Sequence, residues 1–165
     1  MKDNMIKKAY ISGGCFWGME ELFRTQPGII DTEVGYLGGQ NENPTYEYHP
    51  GHAEGLALTY NIEQTSFEKI LDYFFRIHNP TTLNQQGNDR GLSYRSAIFY
   101  QDEDEKQIAE HFIKTVNKSG KWNDLVVTTL EPFTTFWPAE NYHQDYLQKN
   151  PGGYTCHFER FETFT

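Results

Sequence analysis

Lys8-Ala9-Tyr10-Ile11-Ser12-Gly13-Gly14-Cys15-Phe16-Trp17-Gly18-Met19-Glu20-Glu21-Leu22-Phe23 is the stretch whose pattern decides the fold. Lys8 to Ser12 reads as a short strand that runs into a Gly-Gly turn. Beyond the turn, Phe16, Trp17, Met19, Leu22 and Phe23 recur at helical spacing until Pro27-Gly28 stops them. A strand therefore hands over to a helix, and Cys15 sits where that helix begins.

Working outward, Ile29 to Tyr36 is rich in β-branched residues and predicts a second strand, followed by an exposed turn segment, Gly38 to Pro44. Leu56, Leu58 and Tyr60 alternate with Gly55, Ala57 and Thr59, the period of a half-buried strand with Glu54 at its entrance. Thr65 with Glu68 fits a capping box, and Phe67, Ile70, Leu71, Phe74 and Phe75 form the apolar stripe of a helix. Thr81 to Gly91 reads as a loop before a strand at Ser96 to Tyr100. Asp102 to Glu105 complements the positive end of a helix that buries Ile108, Phe112 and Val116 and stops at Gly120. Leu125 to Leu130 predicts a strand, Pro138 opens a short helix to about Gln148, and an irregular tail follows Asn150-Pro151-Gly152-Gly153. Strands alternating with three or four helices predict an α+β fold, a two-layer α/β sandwich around one mixed sheet.

A length of 165 residues, with no repeat or linker, suits one domain over 1–165. The formal charge of −9, unbroken by any basic run, argues against a nucleic-acid partner. No apolar stretch approaches the roughly 20 residues of a membrane helix, and none forms a signal core near Met1, so no membrane partner and a cytoplasmic setting are expected. Cys15 and Cys156 are the two cysteines, too few for a disulfide scaffold, and in a reducing compartment both thiols are available for chemistry.

A helix N-terminus lowers a thiol pKa through its free N–H groups and its dipole, which makes Cys15 a candidate nucleophile. Gly13 and Gly14 let a substrate approach the backbone, and Phe16 and Trp17 can wall an apolar pocket. His52-Ala53-Glu54 matches the His-x-Glu half of a zinc deaminase signature, but the second half needs a Pro-Cys-x-x-Cys and only Cys156 follows. Glu54 then reads as a carboxyl whose desolvation raises its pKa and suits it to donate a proton. A non-catalytic module that binds methionine-rich peptides in an aromatic groove is a third reading, under which Cys15→Ser would leave function intact.

Gly-Gly-Cys-Phe-Trp-Gly-Met-Glu (13 to 20), Asn-Pro-Thr-Tyr (43 to 46), Gly-His-Ala-Glu (51 to 54), Gln-Gly-Asn-Asp (86 to 89) and Tyr-Arg-Ser-Ala-Ile (94 to 98), in that order, resemble the peptide methionine sulfoxide reductase A family. The resemblance implies a ferredoxin-like core and a protein-repair enzyme that reduces methionine sulfoxide, free or in proteins, with selectivity for the S epimer. It makes Cys15 the attacking thiolate, Glu54 the proton donor, Tyr46 and Tyr94 the hydroxyls that bind the sulfoxide oxygen, and Asp89 an organiser of the pocket. Phe16 and Trp17 would enclose the substrate methyl group, and Gly14, Gly51 and His52 complete the expected substrate-binding set. Cys15 would end as a sulfenic acid, resolved by Cys156 and recycled by thioredoxin, or reduced directly by an external thiol if Cys156 is a packed strand residue. No metal or cofactor is expected, and a monomer is. Two departures stand out: Thr155 is inserted before Cys156 in the Asn-Pro-x-Gly-Tyr pattern, and the link from Tyr46 to Gly51 is short, for which altered substrate preference is expected.

Overall fold

The sequence pattern around Cys15 folds as a strand, β1 (Ile6–Ser12), and a helix, α1 (Phe16–Phe23), in a computed structural model that describes residues 5–165. Two long strands follow, β2 (Ile29–Leu37) and β3 (Ala53–Asn61), then α2 (Phe67–Ile77). A two-residue hairpin, β4 (Gln85–Gln86) and β5 (Asp89–Arg90), lies inside the predicted loop ahead of β6 (Ala97–Tyr100). The chain continues through α3 (Glu103–Ser119), β7 (Thr129–Pro132), β8 (Phe136–Pro138) and a single helical turn, α4 (Tyr146–Lys149).

Six strands form one sheet in the order β7-β6-β1-β3-β2-β8; β6 and β7 are parallel and the other neighbours antiparallel, so the sheet is mixed. One face carries Ile11, Val34, Tyr36, Leu56, Leu58 and Ile98 and is covered by Phe16, Met19 and Phe23 of α1, Leu71 and Phe74 of α2 and Phe112 of α3. The opposite face carries Tyr10, Leu37, Ala53, Ala57, Ala97 and Phe99, closed by Phe133 and Phe136. This second cover corrects the expectation of a half-buried β3: Ala53 to Leu58 are buried on both sides, because the small residues Gly55 and Ala57 let the following chain pack down on them.

Three boundaries differ from expectation. Ser66, not Thr65, caps α2 by accepting from the Lys69 N–H at 3.2 Å, since the Thr65 N–H still closes the preceding turn on Asn61. The strand expected from Leu125 starts only at Thr129, because the Val126 and Val127 N–H groups bond to Asn117 and Pro80 rather than to a neighbouring strand. Pro138 ends a strand and opens no helix to Gln148. The chain makes a 3-10 turn at Asn141–His143 and then passes through Asp145 in the left-handed region, φ 56°, where the buried Glu20 carboxylate accepts the Asp145 N–H at 2.8 Å.

The helix from Asp102 follows its punctuation: Asp102 Oδ1 accepts from the Glu105 N–H at 2.8 Å, and Gly120 closes the C-terminus at φ 71°. Asp102→Ala is expected to lower stability by about 1 kcal/mol, read as a lower urea midpoint at unchanged slope and a melting temperature about 2–4 °C lower.

Candidate active site

Antiparallel pairing of β1 with β3 sets Ser12 opposite Gly55, which brings Glu54 beside the Gly13-Gly14 turn that leaves β1. Glu54 shares strand parity with Leu56 and Leu58, so its side chain lies on the helix-covered face, beneath the start of α1. Ser12 also faces Ala97 of β6, so the segment before β6, with Tyr94, reaches the same edge of the sheet. The register of three strands therefore gathers residues far apart in sequence.

Cys15 is the N-cap residue of α1 and is buried. Its thiol makes no capping hydrogen bond; the free N–H of Phe16 donates instead to Glu54 Oε1 at 3.2 Å. Glu54 is 1% exposed, and burial, helped by the charge of Asp89 and opposed by the Phe16 N–H, pushes its pKa up to about 8. The carboxyl is thus protonated at neutral pH. Burial also pushes the Cys15 thiol up, with the Glu54 charge second, and the Trp17 N–H offsets only part of this. That corrects the expectation of a thiol lowered by the helix N-terminus: in a dry site, desolvation outweighs the dipole, and the resting pair is a neutral thiol and a neutral acid.

Tyr46 and Tyr94 are half-buried, and neither hydroxyl is bonded to another protein group among the described residues. Burial and then the charge of Glu54 raise both, Tyr46 to about 12, so each keeps its proton and faces the site as a donor. Arg95 holds Tyr94 in place: its guanidinium donates to both Glu131 oxygens at 3.0 and 3.1 Å and to the carbonyls of Gly51 and Leu92 at 3.0 Å. Asp89, half-buried and raised by burial, accepts from the Tyr154 hydroxyl at 3.3 Å.

Aromatic rings close the pocket. Phe16 packs against Tyr36, and Trp17 stacks on Tyr146 at 3.8 Å while its indole N–H donates to His143 Nδ1 at 2.9 Å. The Tyr46 ring lies 4.4 Å from that of His143. Glu140 ties this wall together by accepting from the Tyr36 hydroxyl at 2.8 Å and from the Tyr46 N–H at 2.9 Å; these bonds hold its carboxyl below the usual range although burial works the other way.

The structure thus brings Cys15, Glu54, Tyr46, Tyr94, Asp89, Phe16 and Trp17 to one place. His52 and Gly51 have their polar groups engaged within the protein. His52 is buried, with Nδ1 accepting from the Gly39 N–H and Nε2 donating to the Asn41 carbonyl, so it pins a loop and has no nitrogen left for substrate or metal. Gly51 is a turn residue at φ 75° whose carbonyl Arg95 occupies. Gly14, at φ 92°, is required by its crowded turn: a Cβ there would lie 2.8 Å from Gln86 Cγ. Cys156 is not in a strand; it lies in the irregular tail against Gly87, whose added Cβ would sit 3.4 Å from its own. It is close enough to Cys15 to add to the upward push on that thiol, and both cysteines are free. Glu140, His143 and Tyr146 escape the sequence reading because a helix was expected there. The lack of apolar periodicity in Ala139-Glu140-Asn141-Tyr142-His143-Gln144 was the available signal.

A buried sulfur beside a protonated carboxylic acid and two hydroxyl donors, inside aromatic walls, has the chemical make-up suited to an oxidoreductase acting on a small apolar group that bears an oxygen. The family model for peptide methionine sulfoxide reductase matches residues 7–164. The peptide methionine sulfoxide reductase MsrA of Mycobacterium sp. (strain JLS) is 57% identical over 154 residues, 93% of this chain and 90% of the relative. Mxr1 from Saccharomyces cerevisiae in its reduced form superposes with a TM-score of 0.84 at 35% identity, covering 96% of this chain and 94% of that one. The same yeast protein in complex with Trx2 matches at 0.62 and 26% identity, covering 96% and 92%. The chain belongs to the peptide methionine sulfoxide reductase family and is an oxidoreductase that reduces methionine sulfoxide.

Proposed function

We propose that this protein reduces the S epimer of methionine sulfoxide, free or in proteins, through Cys15 and Glu54, with a disulfide to Cys156 as the form that thioredoxin recycles. The Glu54 carboxyl bonded to the N-terminus of α1, one residue from Cys15, carries this reading, because it puts an acid and a nucleophile on one small group. The Cys15 sulfur attacks the sulfoxide sulfur while Glu54 delivers its proton to the oxygen, held by the Tyr46 and Tyr94 hydroxyls. The proton lost by the thiol refills Glu54, so the buried site stays neutral throughout. The transient bond between the two sulfurs and the sulfoxide S–O bond then break as the hydroxyl passes to the Cys15 sulfur, so the sulfoxide gains two electrons and becomes methionine and Cys15 becomes a sulfenic acid carrying that oxygen. Cys156 then forms the S–S bond and water leaves. A dithiol of the thioredoxin type reduces the disulfide by exchange, a role supported by the yeast complex with Trx2.

The element order β1-α1-β2-β3-α2-β6, with β6-β1-β3-β2 adjacent in that order, supports a ferredoxin-like core extended by β7 and β8. Single-turnover reduction of each epimer of a methionine sulfoxide peptide, without external reductant, tests the function. Methionine from the S epimer alone, with loss of two hydrogens and a Cys15–Cys156 disulfide by mass spectrometry, is expected. Equal reduction of both epimers would remove the stereochemical assignment, and a sulfenic acid that persists at Cys15 would remove Cys156.

A further inference from the structure

His157 is buried in a tail that has no regular secondary structure. Its Nε2 lies 2.7 Å from the Gly13 carbonyl oxygen, and since a carbonyl only accepts, Nε2 carries the ring proton and donates. The ring occupies a slot made by two missing side chains, one on each side of Cys15. A Cβ on Gly14 would lie 2.9 Å from His157 Nε2, and one on Gly18 would lie 2.5 Å from Nδ1 and would also strike Thr155 Oγ1. Thr155, the residue inserted before the second cysteine, bends the tail into this slot, its hydroxyl accepting from the His157 N–H at 3.1 Å. On the other side of Cys156, the Tyr154 hydroxyl donates to Asp89 at 3.3 Å. Cys156 is therefore held between two anchors, one on the hairpin that carries Asp89 and one on the turn that carries Cys15.

We propose that His157 is a positioning residue for the resolving step: seated between Gly14 and Gly18 and bonded to the Gly13 carbonyl, it holds Cys156 within reach of the Cys15 sulfenic acid. This rests on the reading of Cys156 as the resolving cysteine. The chemistry it serves is the condensation of Cys15–SOH with Cys156–SH, in which the S–S bond forms, the S–O bond breaks and water leaves. An untethered tail offers the second thiol at a much lower effective concentration. The imidazole is a weak base here, since burial lowers it to about 4, and its Nδ1 is 3.9 Å from Cys156 Sγ, so it acts by placement and not by removing the thiol proton.

The test is a quenched single turnover with excess S-sulfoxide and no reductant, following methionine release and disulfide formation separately in wild type, His157→Ala and Gly18→Ala. The second variant fills the slot while leaving the residue at 157 unchanged, and the methionine burst reports on folding in each sample. Both variants are expected to release one methionine per chain at the wild-type rate, to form the disulfide at least about tenfold more slowly, and to accumulate a dimedone-trappable sulfenic acid. Disulfide formation at the wild-type rate in both variants would overturn the latch and leave Cys156 in its role. A methionine burst slowed as much as the disulfide would also overturn it, assigning His157 to the attacking loop. Wild-type protein that stops at the sulfenic acid would remove the resolving cysteine and the latch together.

Discussion

Cys15→Ser is expected to give a folded protein that releases no methionine from methionine sulfoxide, a loss of more than about 10⁴-fold. The size of the loss follows from what the sulfur supplies. On the proposed mechanism Cys15 is the source of the two electrons that the sulfoxide takes up, and its oxidation to a sulfenic acid has no counterpart at a serine oxygen. The donors that remain, Glu54 with Tyr46 and Tyr94, can polarise the S–O bond but cannot reduce it. Stability should change by no more than about 2 kcal/mol, because a buried hydroxyl costs more to desolvate than a thiol but serine is a favoured N-cap residue at this position. Methionine released per chain, counted without reductant, checks the prediction: one for wild type, one for Cys156→Ser and none for Cys15→Ser. Release from the Cys15→Ser protein would move the chemistry to Cys156 and end the assignment made here.

The site residues that the sequence exposed are those whose chemistry is local. A strand, two glycines and helical spacing from Phe16 onward place Cys15 at a helix start, which is where it lies. What places Glu54 beside it is the register of β1 on β3, a pairing of residues more than 40 apart that no local pattern encodes. The direction of the Cys15 shift was missed for the same reason: the dipole of α1 is legible in the chain, but the burial that defeats it exists only once the chain has folded around the thiol. The segment from Pro138 to about Gln148 misled because a proline suits the first turn of a helix. Its path is set instead by Glu20 on the Asp145 N–H and by Glu140 on Tyr36 and Tyr46, all contacts with distant strands or loops. The bonds of His52 were equally illegible: both its ring nitrogens are engaged by the Gly39 to Asn41 loop, a contact that the His-x-Glu motif does not state.

Glu54→Gln is expected to slow sulfoxide reduction by roughly 10²- to 10⁴-fold and to abolish an alkaline limb that the wild type shows. On the proposed mechanism the reacting pair in wild type is the neutral thiol and the neutral carboxylic acid. The carboxyl, pushed up to about 8, loses its proton above that pH while the thiol keeps its own, so the single-turnover rate should fall about tenfold per pH unit beyond it. If the thiolate with the acid were the reacting form instead, the rate would climb to pH 8 and then level, and that profile would sink the neutral-pair mechanism. Stability moves in the opposite sense. An unfolded glutamate titrates near about 4.3, so between there and pH 8 the unfolded chain releases a proton that the folded protein retains, and Glu54 draws stability down as pH rises. Glutamine does not titrate and keeps an oxygen for the Phe16 N–H, so the variant should unfold at higher urea than wild type at pH 9 and show little difference at pH 4. An inactive variant whose stability advantage over its parent grows from about pH 4.3 to pH 8 and then holds is what a buried acid held neutral for proton transfer predicts. A merely structural glutamate would lose stability on the same exchange.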